Sequence, residues 1–331
     1  MKKNLLLLAG GGSSEHEISL KSAEYLKQQI DSEAFNIYYV IIDSNFMWNE
    51  EKHGDCQLNQ NQHLSFASEE NSPIKIDCVL PCIHGYPGET GDIQSYLELI
   101  NIPYLGTNSE ASKICFNKVS TKLWLENYSI ATTPFTFIDE VSSENLNIAQ
   151  EFFKVHKEVF IKASNQGSSV GCYHCNNADE LESLLEKAFQ FSHYVLIEKK
   201  IIGRELEVAV YQDLNGKIRA SWPGEILTNG NFYDYEEKYS TTSTTKVDVK
   251  AKLSNELVSQ IQSTAIRAFK KLNLSDIARI DFFLTQEGLL YINEINTFPG
   301  HTDISLFPKM VEGSGDKYST ILNQILRSLC K

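Results

Sequence analysis

The chain has 331 residues, 42% of them hydrophobic and 22% charged, with a net charge of -13 at neutral pH. This length supports two or three domains, each with its own core, and the composition is that of an ordinary globular protein. The acidity disfavours a nucleic-acid partner, which needs a basic surface, but not an anionic nucleotide held by a few lysines in a cleft.

In chain order, the first apolar run, over 5–9, follows two lysines. It is too short for a signal-peptide core and far short of a membrane span, so a cytoplasmic chain with no membrane partner is expected. Residues 4–9 read as a buried strand, 10–14 as a turn and 17–30 as a helix with Ile18, Ala23, Leu26 and Ile30 on one face. Strands over 36–43 and 77–83, a helix over 92–100 and a short strand over 103–105 follow. This alternation predicts a mostly parallel sheet covered on both faces. One long helix is expected over 109–128, then a strand over 134–138 and a helix over 148–156. Strands over 159–163 and 170–175 flank the small-residue loop 164–169, which makes them a hairpin. A helix over 179–191 can take Asn176 or Asn177 as its cap.

The remainder carries antiparallel signals. Strands over 194–199, 205–212 and 217–222 include the turn Asn215-Gly216. Residues 227–249 form a long polar segment with little periodicity, the kind of loop that serves as a lid. A helix over 253–272 precedes strands over 277–284 and 289–295 around the turn at 286–288. The seven cysteines stand at 56, 78, 82, 115, 172, 175 and 330. An odd number without a secretion signal implies reduced thiols. Cys172 and Cys175 form a CxxC around His174, but no second CxxC completes a zinc site, and residues three apart on a strand face opposite ways.

Three constellations carry chemistry. Arg279 and Asp281 share one strand face, and Glu294 and Asn296 share a face of the next strand. Asp281, Glu294 and Asn296 offer the hard oxygens that magnesium takes beside substrate phosphates. A polar, solvated sheet face is the alternative; the apolar opposite face (Ile280, Phe282, Leu284) and the loop 296–300 weigh against it. Lys162 ends a strand ahead of Gly167-Ser168-Ser169, a loop whose amides and hydroxyls can wrap phosphate oxygens. It is not a Walker loop, and Gly10-Gly11-Gly12 lacks dinucleotide-fingerprint spacing; a glycine cluster alone is more often a flexible turn than a ligand site. Ser14-Glu15-His16-Glu17 has capping-box spacing, so Glu17 has a purely structural reading as well. His84-Gly85 and Gly88-Glu89 follow a strand end, where α/β folds place ligand contacts.

Taken together, these segments resemble the D-alanine–D-alanine ligases. Residues 11–19 and 84–91 are similar to that family's two N-terminal motifs. Residues 162–171, 233–239 and 279–281 are similar to its central ones, and 294–302 with 305–308 to its closing signature. The motifs run in family order and span nearly the whole chain. The resemblance implies an α/β fold, α+β in its C-terminal part: a three-domain ATP-grasp architecture with a Rossmann-like parallel-sheet domain over 1–112. The central domain would cover 113–193 and the C-terminal one 194–331, with a lid near 227–250. It implies ATP-dependent ligation of two D-alanines through a D-alanyl phosphate for peptidoglycan synthesis, or the same chemistry with D-lactate or D-serine as second substrate.

By motif, Lys118, Lys162 and Lys238 would meet ATP phosphates, and Glu198, Lys199, Ile201 and Glu205 the adenine and ribose. Asp281, Glu294 and Asn296 would hold two magnesium ions, with manganese able to substitute. Glu17 would anchor the first substrate's ammonium and His84 would lie near its carboxylate. Arg279 and the Gly300 amide would stabilise the tetrahedral intermediate, while Ser305 and Leu306 would receive the second carboxylate. Ser168 and Tyr239, with Glu17, would clasp the lid, and a homodimer is implied. Tyr239 favours an amino-acid acceptor. Departures are Thr90 for a usual aspartate, Ser95 for a glycine, His301 for an apolar residue, and no proline after the lid.

Overall fold

The computed structural model describes residues 1–68, 70–227 and 246–330. It contains three sheets, met in order along the chain. The first begins with β1 (Lys3–Gly10), α1 (His16–Gln29) and β2 (Phe35–Ile42). Leu5, Leu6, Leu7 and Leu8 of β1 are all buried, because a central parallel strand is covered on both faces. After β3 (Trp48–Glu50), β4 (Gly54–Leu58), β5 (His63–Phe66) and β6 (Ile74–Lys75), β7 (Cys78–Pro81) returns to the other side of β1. Among the described strands of this sheet, only β1, β2 and β7 pair with one another in parallel. The expected mostly parallel sheet is therefore extended by four antiparallel strands. The physical reason is length: strands this short, joined by polar turns, leave no room for the crossover helices that parallel pairing requires.

Helix α2 (Asp92–Leu99) leads to α3 (Ser109–Phe116) and α4 (Lys118–Asn127). The single long helix expected over 109–128 breaks at Asn117. Its backbone is extended (φ -85°, ψ 106°) and its Oδ1 accepts the Ser120 N–H at 2.9 Å. An asparagine that caps the next turn competes with continuing the previous one. The break puts Lys118 at the start of a new helix.

The second sheet comprises β8 (Phe135–Ile138), β9 (Val159–Ala163), β10 (Cys172–Cys175) and β11 (Val195–Lys199), with α5 (Ser143–His156) and α6 (Leu181–Phe189) packed on it. Its order is β10-β9-β11-β8, antiparallel throughout. Its own core includes Ile138, Phe153, Ile161, Leu185 and Ile197. In the CxxC, Cys175 is buried, with its thiol toward the Asn177 carbonyl, while His174 pairs with Glu158.

The third sheet holds β12 (Gly203–Gln212), β13 (Ile218–Ala220), β14 (Gly224–Leu227), β15 (Lys246–Asp248), β16 (Ile277–Thr285) and β17 (Leu290–Asn296). Helix α7 (Asn255–Lys271), capped by Ser254, buries Ile261, Ala265, Ala268 and Phe269 at helical spacing against this sheet. Residues of α3 and α4 (Ala111, Cys115, Leu125) join the same core. Helices α8 (Leu306–Gly313) and α9 (Tyr318–Leu329) cover the other side. Their Phe307, Met310, Ile321 and Ile325 share one core with Leu5 and Leu7 of β1 and Leu26 of α1. No helix among the described residues is long and apolar enough to cross a membrane.

Candidate active site

A cavity of about 1220 Å³ lies where the three sheets meet. Its wall includes Glu15, Glu17, His84, Glu89, Lys118, Ser168, Glu205, Glu207, Arg279, Asp281, Glu294, Asn296, Gly300, Ser305 and Leu306. On its floor the register of β16 and β17 sets Arg279 opposite Asn296 and Asp281 opposite Glu294. Arg279 grips Asp281 with two parallel bonds of 2.8 Å, and its Nε lies 3.3 Å from Glu207. Burial works against the guanidinium charge, but Asp281 and Glu207 outweigh it and hold the group protonated. Asn296 Nδ2 donates to Asp281 Oδ2 at 3.1 Å, and Lys118 Nζ lies 3.7 Å from Glu294.

This donor set fits magnesium. Asp281, 9% exposed, and its neighbours Glu294 and Asn296 supply hard oxygens on one wall, and a half-turn of the Asn296 amide presents its Oδ1 in place of Nδ2. Arg279 and Lys118 are the positive partners of Asp281 and Glu294 respectively.

Behind the wall, Glu198 at the end of β11 is 2% exposed and accepts from Lys162 through Oε1. Its Oε2 lies 3.0 Å from Lys122, a residue that reading the sequence overlooked. Burial opposes ionisation of Glu198, yet the two lysines prevail and hold its pKa down at about 2. Lys162, Glu198, Lys199 and Ile201 do not line the cavity; Lys199 is exposed at the strand end and Ile201 half-buried just past it. Lys118 Nζ donates to the Gln166 carbonyl at 2.7 Å, which brings the helix start against the loop over 164–169.

That loop crosses the cleft. Ser168 and Ser169 take positive φ (49° and 62°), and Ser168 Oγ donates to Glu15 Oε1 at 2.6 Å. The expected partner was Glu17, and this is a correction. Glu15 stands at the N-cap position ahead of α1, free to aim its carboxylate at the loop, whereas Glu17 is an exposed residue of the first helical turn. The capping box is absent too, since Glu15 occupies the cap and makes no side-chain cap bond. Gly85 closes the near wall: with φ +67°, a Cβ there would lie 2.9 Å from Ser13 and 3.1 Å from Glu15 Oε2, so a side chain would displace the carboxylate. Its N–H donates to Glu89 Oε2 at 2.8 Å. Burial, then the nearby Glu15 charge, push the Glu89 carboxyl up to about 8.

His84 is buried and bonded through Nε2 to Ser22 Oγ at 2.9 Å; desolvation lowers its pKa, so the ring is neutral. Ser22 Oγ also accepts the His301 N–H at 3.3 Å, tying the loop after β17 to α1. Thr302 N–H donates to Ser305 Oγ at 3.0 Å, which fixes the loop from Gly300 to the start of α8. Lys238 and Tyr239 lie outside the described residues. Of Glu15, Glu89, Lys122 and Glu207, the sequence points to Glu89 alone, at a strand end, and gives the other three no role. Lys122 had a signal, one helical turn after Lys118.

Two antiparallel sheets beside a sheet built on three parallel strands, with Lys118 in the cavity where they meet, form the ATP-grasp architecture. Residues 4–107 match the family model described as D-ala D-ala ligase N-terminus, and residues 124–327 match D-ala D-ala ligase C-terminus. The D-alanine–D-alanine ligase of Shewanella woodyi is 46% identical, over 98% of this chain and 97% of that one. The crystal structure of D-alanyl-alanine synthetase A from Vibrio cholerae superposes with a TM-score of 0.93 at 45% identity, covering 99% of this chain and 98% of that one. The D-Ala:D-Ser ligase VanG of Enterococcus faecalis is more distant, at 28% identity and a TM-score of 0.87 with both chains fully covered (100%). The chain belongs to the D-alanine–D-alanine ligase family.

Proposed function

We propose that this protein joins two D-alanine molecules at the expense of ATP, through a D-alanyl phosphate, to supply peptidoglycan synthesis in the cytoplasm. The observation that carries this reading is the meeting of Arg279, Asp281, Glu294 and Asn296 with Lys118 and the Ser168 loop around one cavity. Bound ATP with magnesium supplies the transferable phosphoryl group and neutralises the charge around it; manganese is able to substitute.

The chain's own residues position and stabilise. Asp281, Glu294 and Asn296 would hold two ions, and Lys118, Lys162 and Lys238 the phosphates. Glu198, Lys199, Ile201 and Glu205 would form the adenine and ribose pocket. Glu15, in place of Glu17, is the better anchor for the first ammonium, because it faces the cleft on the Ser168 hydroxyl. Neutral His84 would lie by that substrate's carboxylate without adding charge. Attack by the second amine builds negative charge on the acyl oxygen, and Arg279 with the Gly300 N–H would meet it. Ser305 and Leu306, at the start of α8, would take the second carboxylate. Ser168 and Tyr239 would close the cleft and keep water from the acyl phosphate. The active form would be a homodimer.

Phosphate release from ATP, measured with D-alanine, with L-alanine and with D-alanine plus D-lactate, tests the reading. Release should require D-alanine, stop when EDTA removes the divalent ion, and return with added magnesium. Release indifferent to D-alanine would sink the proposal.

A further inference from the structure

Lys122 is one of the most deeply buried charged groups in the chain, at 1% exposure. A lone ammonium there would be costly to desolvate. Its partners are Glu198 Oε2 at 3.0 Å, Thr132 Oγ1 at 2.8 Å and Thr133 Oγ1 at 2.5 Å. Thr133 in turn donates to Glu198 Oε2 at 3.1 Å, and Thr132 to the Ile292 carbonyl of β17 at 2.9 Å. The other carboxylate oxygen, Oε1, is held by Lys162. One buried carboxylate thus stands between two ammonium groups, one sealed inside and one, Lys162, next to the phosphate-binding loop.

The count of charges decides what this arrangement can do. Two lysines and one glutamate leave one net positive charge. Without Lys122, the Glu198–Lys162 pair is neutral, and Lys162 can turn to an anion only by baring a buried carboxylate. With Lys122 in place, Glu198 stays compensated whichever way Lys162 faces. Burial pulls the Lys122 ammonium below its ordinary value, and Glu198 opposes that fall.

We propose that Lys122 is a positioning residue for the nucleotide: it is the standing counterion of Glu198, and so frees the Lys162 charge for the triphosphate. The inference rests on the reading above that Lys162 meets ATP phosphates. Lys122 itself touches neither substrate nor metal; it acts through Glu198.

A double-mutant cycle on the full-length chain tests it. Equilibrium binding of ATP with magnesium, and separately of adenosine, is measured for the wild type, Lys122→Met, Glu198→Gln and the double variant. Methionine keeps the length and removes the charge. Lys122→Met is expected to weaken ATP about tenfold or more and adenosine less than about twofold, since adenosine carries no phosphate. In the Glu198→Gln background the same change should alter ATP affinity less than about threefold, because glutamine needs no counterion. Equal weakening of ATP and adenosine, or an equal loss in both backgrounds, overturns the proposal. Should Lys122→Met alone fail to fold, the double variant decides: it must fold and bind ATP as Glu198→Gln does, and failure of either overturns the assignment. Wild type that ligates D-alanine while the cycle shows no coupling removes this inference and leaves the ligase reading intact.

Discussion

At Arg279 one guanidinium serves two carboxylates, Asp281 by a paired contact and Glu207 at 3.3 Å. Replacing it by alanine removes the donor proposed to meet the acyl oxygen, and turnover should fall by about a hundredfold or more, the scale for losing such a donor. ATP affinity should stay within several-fold, as read by nucleotide binding on the same preparation; a collapse of ATP binding would contradict the role. At this scale much of the floor was legible beforehand. Strand alternation alone sets Arg279 with Asp281 and Glu294 with Asn296, and the register then joins the pairs. The choice between Glu15 and Glu17 was not legible, because both belong to one short motif and only the point where α1 begins separates them. Lys122 escaped notice because its meaning depends on Glu198 and on Thr133, which only the folded chain gathers around it.

Among the elements, the break between α3 and α4 rests on a single side chain. Asn117 Oδ1 accepts both the Ser120 N–H at 2.9 Å and the Ser164 hydroxyl at 2.7 Å. Asn117→Ala should cost about 1–2 kcal/mol for the lost cap. The loss should appear as a thermal midpoint lower by a few degrees; an unchanged midpoint would show that the cap is dispensable. Because Lys118 follows directly, ATP affinity should weaken in the same variant. The expectation of an unbroken helix erred here because residues on both sides carry helical periodicity, and an interior asparagine reads the same in either case. The strands β1, β9, β11 and β12 were plain from their apolar runs. By contrast β3 to β6 were not, since each is too short to show a period. Helix α9 does carry a helical period in Ile321, Leu322, Ile325 and Leu326, but nothing local reveals that this face docks on the first sheet.

Across the whole molecule, the first and third sheets meet at Asp276, whose Oδ2 accepts the Gly106 N–H at 2.8 Å. Burial raises its carboxyl from 3.8 to about 6, although the Gly106 bond pulls the other way. A carboxyl raised by folding contributes its full stability below the unfolded value near 3.8. That contribution is lost as pH climbs through about 6, where the folded form must also ionise. Asp276→Asn keeps an acceptor for Gly106, suits the positive φ of 58°, and never ionises. It should therefore raise the thermal midpoint at pH 7.5, with roughly 3 kcal/mol as the ceiling from the interval between 3.8 and about 6, and gain nothing near pH 4. Equal midpoints at both pH values would refute the argument.

The apolar clusters carry a mechanical consequence. Residues of β1, α1, β12, α8 and α9 interlock in one continuous core, so the first and third sheets form a fixed anvil. The second sheet, with α5 and α6, has a separate core, and meets the first sheet's side through polar bonds such as Ser168 to Glu15. Polar touches can be exchanged for bonds to a ligand at little cost, whereas a shared apolar interior cannot be parted cheaply. Parting the second sheet from Glu15 therefore exchanges polar bonds, whereas parting the first sheet from the third would open a shared apolar interior.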